Sequence, residues 1–138
     1  MNIYAGIQTK AFLIVQRGEE IGEQIILDKQ RTTIGRNTDN VIVLTDPRVS
    51  RYHAVIQLDP TNGQLSIIDL GSTNGVMVND RQISRGLPYP LQPRNSIIIG
   101  QSVFKLQVRP EGYQPVRPPD RANDPNITQY LEMKRLFS

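Results

Sequence analysis

The chain has 138 residues, of which 38% are hydrophobic and 21% charged, enough apolar material for one packed domain of about 100 residues and a tail. It has no cysteine and a single histidine, which excludes disulfides, thiol catalysis and metal sites built from cysteines or several histidines. The formal net charge of +3 is far below what binding nucleic acid irrespective of sequence requires. We therefore expect no metal, no cofactor and no catalytic residues.

At the N-terminus, residues 1–6 lack the cationic stretch and apolar core of a signal peptide. The longest apolar runs in the chain have only a few residues, such as 41–44 and 97–99. A membrane-spanning helix needs about 20 apolar residues. These observations predict a cytoplasmic location without a membrane span.

Short runs rich in β-branched residues alternate with turn signals along the chain. The predicted strands cover residues 11–16, 23–28, 31–34, 40–44, 53–58, 64–70, 76–78, 82–83, 96–99 and 102–108. A strong turn signal at 59–63 predicts that the strands on either side of it pair antiparallel. About ten or eleven short strands with no helix between them indicate an all-β fold, an antiparallel β-sandwich.

The composition changes after Arg109. Five prolines fall between positions 110 and 125, which predicts a stiff, extended linker. Residues 127–137 are predicted to form a short helix whose apolar stripe is incomplete, because Lys134 falls on it. Such a helix either packs back on the domain or docks on a partner. The chain is therefore divided into an extension (1–9), a β-sandwich domain (10–109) and a Pro-rich tail with a short helix (110–138).

Three segments at strand ends have small polar residues together with glycine, arginine or both: 33–37, 48–53 and 71–75. Each has an ordinary explanation on its own, since Gly35 fits a β-bulge and Asn74 with Gly75 fits a hairpin turn. Taken together they supply fixed positive charge and hydroxyl donors. Those are the groups that a receptor for a phosphate ester needs.

The same three segments resemble the forkhead-associated (FHA) domain, a family of modules that bind phosphothreonine peptides. The family signature has Gly-Arg, then Ser-x-x-His, then Asn-Gly; this chain has Gly35-Arg36, Ser50-Arg51-Tyr52-His53 and Asn74-Gly75. The stretches 49–54 and 67–79 also match the family's usual sequence. The resemblance covers approximately residues 11–108. It implies a binding module for phosphothreonine-containing partner proteins modified by a Ser/Thr kinase, with no enzyme activity.

The resemblance also implies roles for individual residues. The phosphopeptide would be bound by Arg36, Ser50, Arg51, Thr73 and Asn74. Supporting roles would fall to Gly35, His53 and Gly75. An arginine fork and hydroxyl donors suit a phosphate, and an asparagine amide suits the adjacent peptide backbone. Several charge-assisted bonds, offset by ordering and desolvation, predict micromolar-class affinity of about −8 kcal/mol.

Two further residues are predicted to influence which peptide binds. Arg48 lies two positions before Ser50, where some family members read the third residue after the phosphothreonine, which predicts preference for an acidic side chain there. A plain surface arginine is the competing interpretation. Asn79 lies where the family often has an asparagine that orders the loop or contacts the peptide. Thr9 and Thr128 would allow the domain to bind its own phosphorylated ends.

Three other classes of function compete with this hypothesis. A phosphate-independent assembly domain is the main alternative, but nothing structural requires Arg36, Ser50 and Asn74 together. A nucleic-acid binder would use the positive charge, but aromatic residues are only 6% and form no evident stacking platform. A hydrolase using Ser50 and His53 lacks an identifiable oxyanion hole and a Gly-x-Ser-x-Gly elbow. The sequence therefore favours a phosphothreonine-binding adaptor.

Overall fold

The computed structural model describes residues 9–110, which form eleven β-strands and no helix. In chain order the strands are β1 (Thr9–Arg17), β2 (Gln24–Ile26), β3 (Arg31–Gly35), β4 (Ile42–Val43), β5 (Ala54–Leu58), β6 (Leu65–Asp69), β7 (Val76–Val78), β8 (Arg81–Gln82), β9 (Tyr89–Leu91), β10 (Ser96–Ile99) and β11 (Ser102–Pro110). Within this part of the chain, nothing has the helical length and hydrophobicity of a membrane span. The helix predicted over 127–137, and Thr128 within it, lie outside the described residues.

The strands form two sheets, which confirms the predicted all-β sandwich. One sheet has six strands in the order β2-β1-β11-β10-β7-β8, and the other has five in the order β4-β3-β5-β6-β9. The pairing is antiparallel except between β3 and β4, which run parallel. Strand β9 was not predicted; it contains Pro90, and proline is uncommon within strands. It lies at the edge of its sheet, where the missing N–H of a proline costs no ladder hydrogen bond.

Alternate side chains of the strands fill the space between the sheets, as the period of two requires. The buried core includes Leu13, Val15, Ile34, Ala54, Ile56, Ile67, Ile97, Ile99, Phe104 and Leu106. Burying one such aliphatic or aromatic side chain contributes about 1.5–3 kcal/mol. The core therefore holds the strands firmly, and the loops at the strand ends start from fixed positions.

Strands β1 and β11 define the two ends of the sandwich. Thr9 pairs with Pro110 at one end, and Arg17 pairs with Val103 at the other. The backbone N–H of Gln101, just before β11, donates to Asp46 Oδ2 at 2.7 Å, so the loop after β4 lies at the second end. The three segments identified in the sequence therefore lie at the end of the sandwich opposite Thr9 and Pro110.

Candidate functional site

Three loops meet at this end of the sandwich. The first loop (36–41) follows β3, the second loop (44–53) precedes β5, and the third loop (70–75) follows β6. Arg36 N donates to Ser50 O at 3.0 Å, and Thr73 N donates to Ser50 Oγ at 3.1 Å. Ser50 in the second loop is therefore hydrogen-bonded to both of the other loops.

Gly35 allows the first and second loops to approach closely. A Cβ atom at this position would lie 2.2 Å from Arg51 O and 2.8 Å from Asn40 Nδ2, distances that real side chains do not adopt. The buried Asn40 amide joins the two loops here, because its Nδ2 donates to Asn37 O at 2.8 Å and to Arg51 O at 2.9 Å. A glycine before Arg36 is thus required by the packing of backbone against backbone.

His53 lies beneath Ser50 with no exposed surface. Its Nδ1 accepts from Ser50 N at 3.0 Å, and its Nε2 lies 2.8 Å from Gly75 O. A backbone N–H can only donate and a carbonyl can only accept, so the ring carries its hydrogen on Nε2. The single histidine of the chain connects the second loop to the third, with both ring nitrogens used.

A buried aspartate organises the third loop. The Asp69 carboxylate accepts from Ser72 N at 2.8 Å and from Ser72 Oγ at 3.0 Å, and Ser72 Oγ accepts from Gly75 N at 2.9 Å. Arg85 holds the outer side of the loop, with Nε 2.8 Å from Ser72 O and an Nη 3.3 Å from Thr73 O. Gly75 has a φ of +85°, a left-handed conformation that favours glycine. The backbone that carries Thr73 is therefore fixed from both sides.

The residues predicted to bind ligand lie above these buried contacts and share one surface. Arg36 Nε donates to Val49 O at 3.0 Å, which fixes the guanidinium and leaves its two Nη groups as its remaining donors. Ser50 is half-buried; its oxygen accepts the Thr73 amide, and its O–H is left to donate. Arg36, Arg51, Thr73 and Asn74 are exposed. The Arg36 guanidinium and the Ser50 hydroxyl are thus held where the three loops meet, with donors left unused within the protein.

Arg48 lies next to Asn74, whose Nδ2 donates to Arg48 O at 2.8 Å. Asp46 fixes the backbone at this point, because its Oδ1 accepts from Arg48 N at 2.9 Å and its Oδ2 accepts from Gln101 N at 2.7 Å. These backbone hydrogen bonds, with the one from Arg48 the largest cause, lower the pKa of the Asp46 carboxyl. The exposed Arg48 side chain therefore starts from a well-fixed position beside Asn74.

Asn79 lies apart from the three loops, in the turn between β7 and β8. It has a φ of +50°, its N–H donates to Ser96 O at 2.9 Å, and its Oδ1 accepts from Ser96 N at 2.8 Å. These bonds order the turn, and the predicted effect of Asn79 on peptide choice stays a prediction.

A polar cluster of Asn37, Asp39 and Tyr52 flanks the other side of the surface. Asn37 Nδ2 donates to Asp39 Oδ1 at 2.9 Å and to the Tyr52 hydroxyl at 2.8 Å, and that hydroxyl donates to Asp39 Oδ2 at 2.8 Å. The bond from Tyr52, followed by the bond from Asn37, lowers the pKa of the Asp39 carboxyl. The same contact with Asp39 raises the pKa of the Tyr52 hydroxyl.

Sequence reasoning missed several residues on which the site depends. The predicted site did not include Asn40, Asp69, Ser72 or Arg85. The spacing of Asp69 and Ser72 is a usable signal, because an aspartate at a strand end commonly accepts from the backbone of a following turn. Asn40 gives no such signal for its link to the second loop, since Arg51 lies 11 positions away. Among residues 9–110, no group of three or more acidic or histidine side chains could hold a metal ion.

The sequence matches the family model of the FHA domain over residues 32–100, which is half of the chain. A curated relative, the oxoglutarate dehydrogenase inhibitor of Corynebacterium efficiens, is 36% identical over 107 residues, covering 78% of this chain. The chain spans only 63% of the length of that relative.

Two solved structures have the same fold. Mycobacterium tuberculosis EmbR in complex with a low-affinity phosphopeptide is 33% identical, with a TM-score of 0.67, over 81% of this chain and 28% of EmbR. A structure solved in a study of phosphothreonine-dependent FHA domain interactions is 26% identical, with a TM-score of 0.62, over 78% of this chain and 99% of that one. The three loops are thus those of a known family, and this chain belongs to the FHA domain family.

Proposed function

We propose that this chain binds phosphothreonine-containing segments of partner proteins and acts as a reversible adaptor, without catalysing a reaction. One observation carries the proposal: a buried hydrogen-bonded layer holds cationic and hydroxyl donors from three loops on one surface. We call the residues of that surface the rim, which consists of Arg36, Arg48, Ser50, Arg51, Thr73 and Asn74. The buried residues beneath it form the supporting layer, which consists of Gly35, His53, Asp69, Ser72 and Gly75.

The phosphate binds between the second loop and its neighbours. A phosphothreonine carries about −1.5 to −2 charges and three strong acceptor oxygens, which match the Arg36 Nη groups and the Ser50 hydroxyl. Arg51 adds a second permanent charge, and the Thr73 hydroxyl adds another donor. Each charge-assisted bond contributes about 1.5–3 kcal/mol before ordering costs. Micromolar-class affinity follows, which suits a switch that a kinase and a phosphatase operate.

Asn74 binds the backbone of the peptide beside the phosphothreonine. Its Nδ2 is already held by Arg48 O at 2.8 Å, so the amide plane is fixed. The carboxamide oxygen is then available to accept a peptide N–H. Asn74 therefore binds the main chain of the peptide, and the neighbouring rim residues bind the phosphate.

Arg48 selects an acidic side chain at the third position after the phosphothreonine. Its backbone is fixed by Asp46 and by Asn74, and its guanidinium is exposed next to the peptide-binding amide. A surface ion pair of this kind contributes little energy, about 0.2–1 kcal/mol. Arg48 therefore sets preference among phosphopeptides.

The partner carries a threonine phosphorylated by a Ser/Thr kinase, and the encounter is cytoplasmic. The match to the FHA family and the likeness to a phosphopeptide-bound structure support this assignment. Thr9 is a poor source of the phosphate in the same molecule, because β1 places it about 26 Å along the sheet from the site end. A phosphorylated Thr9 reaches its own site only if β1 leaves the sheet, so we propose binding between molecules.

Titration with a peptide selected from an oriented phosphothreonine library tests this function. We expect micromolar-class binding of the phosphopeptide and no measurable binding of the same peptide without phosphate. Arg36→Ala is expected to weaken binding about 10- to 150-fold, the equivalent of one lost charge-assisted bond. Arg31→Ala is the matched control, because Arg31 is an exposed arginine at the other end of β3. Equal binding of the two peptides, or equal effects of the two variants, contradicts the proposal.

A phosphate-independent assembly domain remains the second candidate function. The name of the corynebacterial relative, an enzyme inhibitor, favours it, since an inhibitor must contact an enzyme surface. If this function holds, a captured partner binds equally before and after phosphatase treatment, and Arg36→Ala leaves its affinity unchanged.

A further inference from the structure

Charges of opposite sign flank the phosphate-binding residues, with Arg48 on one side and Asp39, which lies outside the rim, on the other. The order of side chains follows the second loop from residue 48 to residue 52. Arg48 is joined to Asn74, Ser50 to Thr73, and Arg51 O to Asn37 N at 3.2 Å. Tyr52 then contacts the cluster that contains Asp39. The phosphate-binding residues thus lie between a cationic flank at Arg48 and an anionic flank at Asp39.

The anionic flank is accessible. Asp39 is exposed, and 48% of the Tyr52 surface is exposed as well. Each carboxylate oxygen of Asp39 accepts one hydrogen bond, from Asn37 or from Tyr52. A carboxylate has about four acceptor positions, so each oxygen retains capacity for a further donor. The exposed ring of Tyr52 adds a surface over which a cation is attracted.

Holding the first loop does not require this carboxylate. Asn37 N donates to Arg51 O at 3.2 Å, and the buried Asn40 amide donates to the same Arg51 O at 2.9 Å and to Asn37 O within the first loop at 2.8 Å. The second loop is further fixed by His53 beneath Ser50. A charged group placed on the surface above these contacts is therefore free to act on a ligand.

Building on the proposed function, we propose that Asp39 and Tyr52 select a basic side chain N-terminal to the phosphothreonine. The assigned position of Arg48 places the C-terminal half of the peptide on the cationic flank, so the N-terminal half crosses the anionic one. Residues 50 and 52 are separated by at most about 7 Å of chain. A lysine or arginine two or three residues before the phosphothreonine therefore reaches Asp39. The preferred ligand has a basic residue before the phosphate and an acidic residue after it.

Four phosphothreonine peptides of equal length test this inference on the wild-type domain. Three of them carry lysine, alanine or aspartate two residues before the phosphothreonine and aspartate three residues after it. The fourth carries aspartate two residues before the phosphothreonine and lysine three residues after it. We expect the lysine peptide to bind about three- to tenfold more tightly than the aspartate peptide at low ionic strength, with alanine between them. The difference shrinks as salt is added.

Variants assign the effect to the cluster. Asp39→Asn removes the charge and is expected to abolish the preference for lysine. Asp59→Asn is the matched control, because Asp59 is an exposed aspartate in the turn at the other end of β5, and its pKa is also lowered, by hydrogen bonds from Thr61. Tyr52→Phe keeps the ring and the carboxylate and is expected to retain most of the preference. If the Asp39→Asn variant keeps the preference for lysine, other residues cause that preference and the inference is overturned.

The wild-type series decides the inference even if a variant does not fold. Equal binding of the lysine and aspartate peptides, with phosphate dependence intact, overturns the inference and leaves the proposed function standing. Tighter binding of the reversed peptide also overturns it, since the polarity is then wrong. If no peptide requires its phosphate, the proposed function fails.

Discussion

The rim and the supporting layer differ in how their polar groups are used. In the supporting layer, His53 and Asp69 have no exposed surface and Ser72 has only 3%, and their side chains are hydrogen-bonded within the protein. In the rim, Arg36 and Asn74 each use one donor within the protein and present the rest of their polar groups at an exposed surface. The supporting layer fixes the positions of the three loops, and the rim presents the polar groups that we propose bind the phosphopeptide.

This division explains why one short motif contains both kinds of residue. Ser50 and His53 are three positions apart, yet the first belongs to the rim and the second holds it from below. Gly35 and Arg36 are adjacent, and they divide in the same way. Substitutions in the supporting layer should therefore reduce stability and binding together, whereas substitutions in the rim should reduce binding alone.

The largest effect is expected from His53→Ala. The variant removes the partners of Ser50 N, which is partly buried, and of Gly75 O, which is buried, at a cost of about 1–3 kcal/mol each, and it opens a cavity. We expect the free energy of unfolding in urea to fall by about 3–5 kcal/mol. His53→Gln, which keeps one donor and one acceptor, should lose less. A loss below about 1 kcal/mol for the alanine variant contradicts the supporting role.

Ser50→Ala should weaken phosphopeptide binding with a much smaller effect on stability. The hydroxyl accepts from Thr73 N at 3.1 Å, and in the proposed complex it also donates to the phosphate, so we expect about a tenfold loss of affinity. Calorimetry and urea unfolding measure the two quantities separately. Ser66→Ala is the control, since Ser66 is also half-buried but lies on the side of β6 toward the opposite end. A variant that loses stability and keeps its affinity would assign Ser50 to the supporting layer.

Arg48→Ala tests whether some rim residues select the peptide sequence while others bind the phosphate. If Arg48 reads the third residue after the phosphothreonine, its removal abolishes a preference for aspartate over alanine there of about two- to fivefold. Affinity for the alanine peptide should change little, and Arg31→Ala should leave the preference intact. Unchanged discrimination by Arg48→Ala makes this residue a plain surface arginine.

The smallest effect is expected from titration of the Asp46 carboxylate, which holds the backbone of Arg48. Hydrogen bonds from Arg48 N and Gln101 N lower the pKa of the Asp46 carboxyl in the folded state. Its stabilising contribution is therefore complete above the unfolded pKa of about 3.9, and it is lost as the pH falls through the lower folded value. In an NMR titration, the amide signals of Arg48 and Gln101 should move together at that lower pH. A midpoint at or above the ordinary aspartate value contradicts the two hydrogen bonds.

Much of the fold could be predicted from local patterns. Most strands were predicted because β-branched runs such as 96–99 alternate with turn signals, and both are properties of adjacent residues. Strand β9 was not predicted. It contains Pro90, which is tolerated at the edge of a sheet, and whether a strand lies at an edge depends on the whole sheet. The parallel pairing of β3 with β4 also depends on the path of a loop, which no short pattern encodes.

The site likewise contains residues that a short sequence signature identifies and residues whose contacts are distant in the chain. Gly35, His53 and the rim residues were identified because their spacing matches a family signature. Asn40 and Arg85 were not assigned supporting roles, because the hydrogen bonds by which they join separate segments span 11 to 13 positions and form only after the sheets pack. The contact of Tyr52 with Asp39 spans 13 positions in the same way. Long-range polar contacts therefore remain the part that single-sequence reasoning does not reach.

Amide chemical-shift mapping with a phosphothreonine peptide and the same peptide without phosphate is the most direct test of phosphate-dependent binding at the three loops. We expect that only the phosphopeptide shifts the backbone amide signals of Arg36, Ser50, Arg51, Thr73 and Asn74. Amides at the opposite end of the sandwich, near Thr9 and Pro110, should stay unchanged. Identical shifts with both peptides, or shifts centred on the opposite end, would contradict a phosphate-dependent site on these three loops.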